Sequence, residues 1–321
     1  MRYLLLTIGL LLAASAWTQS PAAEGEGLPY NWRPVKPSYE GFWRGDTTYN
    51  KKRVRAVTGI CVGGYTAAYT GISIAWYSDF PRTRFHWFND NREWAQIDKM
   101  GHALGGYQGA RGMIGLFKWS GLDRKRTALY GSLIGFMSLA PIEVFDGFAE
   151  SWGASWGDLA ADFAGAALAF GNEMLWSEQR IQMKISYHHT DYAAQRPDLL
   201  GEGVLRALKD YNGHTAWLSF RVHSWLPESR FKRKYPRWLN VAVGYGAEGL
   251  LGGYVDGVPT PAILDREYRQ YYLGLDVDLS AIPTRSGALR TVLGILNFVK
   301  FPAPTLEVNG RGVVRWHWLY F

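Results

Sequence analysis

Glycines at four-residue spacing are the strongest constraint this chain places on its own fold. Gly101, Gly105 and Gly109 fall within one helical pattern at 94–118, and Gly131 and Gly135 within another at 127–142. Residues four apart share a helix face. A glycine face lets two helix backbones approach closely, as they do at helix interfaces in membranes. A further pattern runs from Gly157 to Arg180, with Gly165 facing Ala161 and Ala169. Ahead of these, Ala56 to Tyr77 is uncharged, with Lys51, Lys52, Arg53 and Arg55 on one side and Asp79 on the other. It is long enough to span a bilayer. Gly59, Gly63, Gly64, Thr58, Thr66, Thr70, Gly71 and Ser73 dilute it, so a buried soluble helix is nearly as good a reading. Together the patterns predict a compact, membrane-associated bundle of about four helices over 51–180.

The period then changes. Residues 181–236 form a polar, turn-rich connecting region with His188-His189, Arg196-Pro197 and Asp210-Tyr211-Asn212-Gly213. From Thr215 a period of two appears: Ala216, Leu218, Phe220 and Val222 share a face, as do Leu275, Val277 and Leu279 opposite Asp276 and Asp278. Trp238–Tyr245 reads as a strand, Leu289–Phe298 as a short helix, and Asn309-Gly310 as a hairpin turn before an aromatic strand at Val313–Phe321. The fold class is therefore α+β, with the strand-rich part over 237–321. The ending Trp316-His317-Trp318-Leu319-Tyr320-Phe321 resembles the final strand of outer-membrane barrels. Only about four to six strands are visible and closed barrels start at about 8, so the expectation is an aromatic edge packed on the helical part.

Composition asks about a membrane before it asks about an enzyme. The chain has 15 Trp, 19 Tyr and 15 Phe, and tryptophan concentrates in interfacial belts as well as in cores. Arg2 precedes an apolar run from Tyr3 to Ala14 that ends in Ala14-Ser15-Ala16, a secretory signal pattern cleaved after Ala16. Residues 17–50 read as an extended lead-in. The chain is thus expected in the periplasm, associated with the outer membrane, where a nucleic-acid partner is not expected. The single cysteine, Cys61, excludes an internal disulfide framework, a Cys-rich metal site and a CxxC redox centre; with no cysteine near the cleavage site, lipid attachment there is excluded as well. A net charge of +7 suits a surface facing anionic lipid or sugar phosphates. Arg230, Lys232, Arg233, Lys234 and Arg237, mixed with Phe231, Tyr235 and Trp238, are the candidate lipid- or phosphate-binding cluster, a solvated loop being the plain alternative. Membrane lipid or envelope glycan is the expected partner, with a homo-oligomer or another envelope protein as further options.

The chemically informative residues are charges within the glycine-rich helices. Asp98 and His102 are four apart with Lys99 beside them, Glu143 and Asp146 three apart, and Asp158 and Asp162 four apart. Three helices can therefore bring one histidine and five carboxylates to a common point. Packed like charges require a proton, a cation or a basic partner. Three functional readings follow. The carboxylates and the histidine can hold a divalent cation, with oxygen donors suiting Mg, Ca or Mn better than zinc. His102 can act as a general base oriented by Asp98 on a lipid or glycan headgroup. The group can also be a proton or ion pathway. The plain alternative is structural: Ser155-Trp156-Gly157-Asp158 fits a capping box, Lys99 and Arg111 can neutralise neighbouring acids, and His102 can be a hydrogen-bonded core residue.

Asp98-Lys99-Met100-Gly101-His102 followed by Tyr107 resembles the DKxxH helix of the YfiM-like family of predicted periplasmic proteins, domain of unknown function 2279. The same helix is similar to that of VanZ-like membrane proteins, associated with glycopeptide resistance. Glu143 and Asp146 stand where the VanZ pattern has Glu and then Gln, and Asp158, Asp162 and Gly165 at its Asp, Asn and Gly positions. Asp146 and Asp162 replace amides, and the arginine of the last motif is absent, with Trp152, Gly153 and Trp156 there instead. Resemblance to the YfiM-like proteins extends through Arg196-Pro197, Asp210–Gly213, Trp217-Leu218-Ser219 and 301–307. It implies an envelope location, a shared polar helical core that includes Lys99 and Tyr107, and a strand-rich tail in the same unit. It implies no reaction. The expected function is an envelope protein, a membrane-apposed helical bundle supporting outer-membrane or cell-wall organisation through lipid or protein contacts. The alternative is a membrane-embedded hydrolase or transferase acting on a lipid or cell-wall precursor through Asp98, His102 and Glu143.

Overall fold

The structure, a computed structural model, describes residues 45, 48–75, 81–150, 152–252 and 266–321. The signal segment at 1–16 and nearly all of the lead-in at 17–50 lie outside them. Helices come first and an antiparallel sheet follows. The helical half contains α1 (Lys51–Ala75), α2 (Ile97–Trp119), α3 (Arg124–Met137), α4 (Ala140–Asp146) and α5 (Trp156–Trp176). The single helix expected at 127–142 is two, because Pro141 in the first turn of α4 has no N–H to continue α3. Among the described residues, the stretch Arg124–Asp146, not 56–77, is long and apolar enough to cross a membrane, by length and composition only.

The glycine rule holds for some helices and fails for one. A Cβ at Gly135 would stand 2.2 Å from the Ala110 nitrogen, and one at Gly131 2.6 Å from the Ile114 nitrogen, so α2 and α3 touch backbone to backbone. At Gly106 it would meet the Asp162 carbonyl at 2.2 Å and at Gly165 the Ala103 carbonyl at 1.9 Å, which joins α2 to α5. In α1, Gly59, Gly63, Gly64 and Gly71 face no neighbour within 4 Å among the described residues. That helix packs through another stripe: Arg53 over the Trp119 ring, Val57 in the core, Cys61 on Met113, and the Tyr65 and Tyr69 hydroxyls on the Ile134 and Ser138 carbonyls. Four-residue spacing identified a shared face without saying whether another helix lies against it. Gly63→Ala is accordingly expected to stabilise the protein by roughly 0.5–1 kcal/mol, the helix-propensity difference with no steric cost. A thermal unfolding curve checks the sign.

The sheet has six strands in sequence order: β1 (Ile181–Tyr187), β2 (His214–Phe220), β3 (Leu239–Glu248), β4 (Tyr268–Val277), β5 (Ala303–Asn309) and β6 (Val314–Tyr320). Helix α6 (Gly287–Leu296) lies between β4 and β5. Strand β1 falls in the part of the 181–236 stretch read as polar connection, whereas β2 is where the alternation from Thr215 begins. The sheet is strongly curled. Neighbouring strands are about 4.8 Å apart, so β2 and β6 would be separated by roughly 19 Å if flat, yet the Thr215 and Tyr320 hydroxyls are 3.0 Å apart. Lys184 on β1 likewise reaches Asp276 on β4 at 2.7 Å. The free edge of β1 is taken up by 298–300, through Ile185 N to the Phe298 carbonyl and Lys300 N to the Ile185 carbonyl, both 2.9 Å.

The concave side of this curl is polar and buried. Gln182, Lys184, Thr215, Ser219, Asn240, Gln270, Asp276, Thr305 and Glu307 lie there beside Trp217, Tyr272 and Tyr320. On the convex side Met183, Ile185 and Leu218 pack against Leu104 and Tyr107 of α2, which fixes the sheet to the helices. Among the described residues nothing covers the rest of that side: Val243, Tyr271, Leu273, Leu275, Val308, Trp316 and Trp318 are exposed. The terminal aromatic strand is therefore not packed on the helical part. Trp318 is 76% exposed, while Tyr320 turns inward, with His317 beside it on Glu307 at 2.8 Å.

Candidate functional site

The polar cluster forms where the first turns of α2 and α5 meet α4. Its entry is strained. Trp94, Ala95 and Gln96 have φ of 51, 48 and 62°, a left-handed turn costing about 1–2 kcal/mol per residue. The sheet holds it in place: the Tyr245 hydroxyl donates to the Ala95 carbonyl and Arg269 donates to Gln96 Oε1 at 2.8 Å. The turn delivers Asp98 and Lys99 into the first turn of α2. Ser155 caps α5, its Oγ accepting from the Asp158 N–H at 3.2 Å, so the capping half of the Ser155–Asp158 pattern is present. The Asp158 carboxylate turns to the cluster.

His102 is the centre. Its Nδ1 lies 3.0 Å from Asp162 Oδ1 and donates to it, since a carboxylate only accepts. Its Nε2 points to the other side, 3.7 Å from Asp158 Oδ1 and 4.0 Å from Glu143 Oε1. Asp162 from α5, rather than Asp98 one turn earlier, orients the ring. Asp98 instead accepts from the Tyr211 hydroxyl at 2.7 Å. Lys99 Nζ is 2.6 Å from Asp90, 2.7 Å from Asp158 and 3.5 Å from Asp98. Glu143 Oε2 accepts from the Ser155 N–H at 2.8 Å, while Glu143 Oε1 and Asp162 Oδ2 are buried and have no hydrogen-bond donor among the described residues. Asp98, His102 and Asp158 offer donor atoms within 4.8 Å of one another, a set that can hold a metal ion.

Electrostatics follow from burial and crowding. Burial pushes the Glu143 carboxyl up to about 8, with Asp158 and Asp146 adding to it against the pull of His102. Burial likewise raises Asp158 to about 7, with Asp98 and Asp90 adding and His102 and Lys99 opposing. Asp162 is raised by burial despite its bond to His102. Asp98 is also penalised by burial, but His102, Lys99 and Tyr211 hold it below the usual carboxylate range. Burial works against the His102 imidazolium, but Asp162, Asp158 and Asp98 raise its pKa well above the ordinary value.

The remaining predicted residues are placed as follows. Asp146 accepts from the Trp152 indole at 2.6 Å, at the edge of the cluster. Tyr107 is buried in the core on the far side of α2, its hydroxyl 3.4 Å from the Ile181 carbonyl. Arg111 lies apart from the acids and donates to Gln108 and the Gly294 carbonyl. The basic cluster forms a short helix, Arg230–Lys234, capped by Ser229. Arg230, Arg233, Lys234 and Arg237 are exposed beside Phe231 and Trp238, and Lys232 pairs with Glu228. Sequence reasoning missed Asp90, Ser155 and Tyr211 as members of the His102 cluster. Asp90 lies in an extended segment tied to 147–154 by His86 N–Gly147 O and Phe88 N–Ala154 O bonds, where no periodicity marks it.

No curated protein and no solved structure matches the chain. The likeness to VanZ-like proteins therefore rests on the residues quoted above alone. The family model that matches residues 86–172 carries a description naming a lipoprotein, whereas the one cysteine in this sequence, Cys61, is on α1 against Met113. Residues 86–172, which contain the whole helical part of the cluster and none of the sheet, match the model of DUF2279, described as predicted periplasmic lipoprotein, and this supports an exported, periplasmic protein of the cell envelope.

Proposed function

We propose that this is an envelope protein that seats the uncovered face of its sheet in a lipid surface, where it supports outer-membrane organisation. The observation that carries the reading is the polarity of β4: Tyr271, Leu273 and Leu275 are exposed while Gln270, Tyr272 and Asp276 are buried. A strand half-buried in a water-soluble sheet alternates the other way, and the polar-in, apolar-out order is that of lipid-facing strands. Neighbouring strands extend the patch through Val243, Val308, Trp316 and Trp318. At the end of the sheet where β3 begins, Phe231 and Trp238 stand with Arg230, Arg233, Lys234 and Arg237, a mixture suited to an interface with anionic headgroups.

Flotation with vesicles of neutral and of anionic lipid tests it. The wild type is expected to float with both and to resist a high-salt wash. Leu273→Asp is expected to lower the bound fraction at least tenfold. Arg233→Glu with Lys234→Glu weakens binding to anionic vesicles only, in a salt-dependent way. Recovery of the wild type in the unbound fraction with both lipids would overturn the reading. A second reading, a hydrolase or transferase on a lipid or cell-wall precursor, is favoured by one observation: the 3.0 Å contact of His102 with Asp162, which leaves Nε2 facing Glu143 and Asp158.

A further inference from the structure

We propose that His102 Nε2, Glu143 Oε1, Asp158 Oδ1 and the carboxylate of Asp98 bind one divalent metal cation. This does not depend on the lipid reading. The first support is the histidine's orientation. A metal-binding imidazole usually donates its other ring nitrogen to a carboxylate, which fixes the ring and its tautomer. Asp162, fully buried on α5, does this to Nδ1 and aims Nε2 at the point where the other donors converge.

The second support is an oxygen with nothing to do. Glu143 is 3% exposed, one of its oxygens is occupied by the Ser155 N–H, and the other has no hydrogen-bond donor among the described residues, its nearest charged neighbour being His102 Nε2 at 4.0 Å. Lys99 does not fill this role. Its ammonium lies on the Asp90 and Asp158 side, and no ion pair joins it to Glu143 among the described residues. Asp158 Oδ1, which the ion would share with Lys99 at 2.7 Å, and the carboxylate of Asp98, which also accepts from Tyr211, complete the set. Two donors of one ion about 2.1 Å from it can be up to about 4.2 Å apart, so the 3.7 and 4.0 Å separations fit. Asp98, the least buried of the four, offers an oxygen that lies within 4.8 Å of the His102 and Asp158 donors.

One imidazole and three carboxylates suit Mn²⁺, Zn²⁺ or a harder ion, so the donor set fixes the class and not the metal. The experiment uses the full chain, stripped with a chelator and titrated calorimetrically with Mn²⁺, then Zn²⁺, Mg²⁺ and Ca²⁺. Metal content after dialysis gives the stoichiometry. One ion per chain is expected for at least one of these cations, with affinity at least tenfold weaker in Glu143→Gln and about 10–100-fold weaker in Asp162→Asn, which removes no donor. Circular dichroism verifies that each variant folds, and His102→Gln replaces any that does not. The proposal is overturned if none of the four cations binds the folded wild type, or if binding is unchanged in folded Glu143→Gln or, should that variant not fold, in folded His102→Gln.

Discussion

Gly165→Ala is expected to destabilise the protein by about 3 kcal/mol or more, at the upper end of what overpacking a core costs. The added methyl would stand 1.9 Å from the Ala103 carbonyl oxygen and 2.7 Å from the Tyr107 nitrogen. Both are backbone atoms of α2, so no side chain can rotate away and the two helices must separate by more than an ångström. The lost energy should appear as a fall in melting temperature of several degrees. The same separation would also reach the cluster. His102 and Asp162 sit on these two helices, and Gly106 packs on the Asp162 carbonyl itself, so their 3.0 Å hydrogen bond depends on the glycine contacts. Paired unfolding curves for Gly165→Ala and Gly63→Ala should therefore move in opposite directions. Equal melting temperatures for Gly165→Ala and wild type would refute the packing described here.

That pair of glycines also measures how much of the fold could be read from the sequence. The helical half was legible because periodicity and glycine spacing are local, and the pattern located α2, α3 and α5. Whether a glycine face meets a partner is a tertiary fact, and among the described residues none lies against that side of α1. Strand β1 carries the period-two signal, Ile181, Met183, Ile185 and Tyr187 alternating with Gln182, Lys184 and Ser186, but its polar residues and the turn-rich sequence after it made the stretch read as connection. In β4 the alternation of Leu275 and Val277 with Asp276 and Asp278 was plain, but alternation is symmetric and does not say which face is inside.

For the cluster, spacing identified His102, Glu143, Asp158 and Asp162, which the helices bring together. It misassigned the orienting partner of His102, because Asp98 shares its helix face yet turns to Tyr211, a residue 113 positions away. Asp90 and Ser155 enter from segments whose placement depends on backbone bonds between 81–90 and 147–154. Such contacts have no signature in periodicity.

Inside the curled sheet, Lys184→Met is expected to cost about 3–5 kcal/mol, the penalty for leaving a buried carboxylate without its cation. Lys184 and Asp276 are wholly buried 2.7 Å apart. Each is otherwise fully satisfied: Lys184 donates to the Val277 carbonyl at 2.9 Å and Asn297 Oδ1 at 3.0 Å, and Asp276 accepts from Ser219 Oγ at 2.6 Å and the Phe301 N–H at 3.2 Å. The pair therefore ties β1, β2 and β4 to the segment after α6, across strands that a flat sheet would hold far apart. Removing the lysine leaves Asp276 with Lys300 as the other cation that acts on it, and Lys300 is itself buried over the Trp217 ring at 4.5 Å. Replacing both partners, Lys184→Met with Asp276→Asn, removes the stranded charge and keeps the amide able to accept from Ser219. The double variant should then be less destabilised than the sum of the two singles by 1 kcal/mol or more, a coupling of the size found for contacting residues. Urea unfolding of the four proteins gives the cycle. Additive singles, or a Lys184→Met variant within about 0.5 kcal/mol of wild type, would mean that the sheet is not closed around this pair, because surface substitutions remote from such networks cost no more than that.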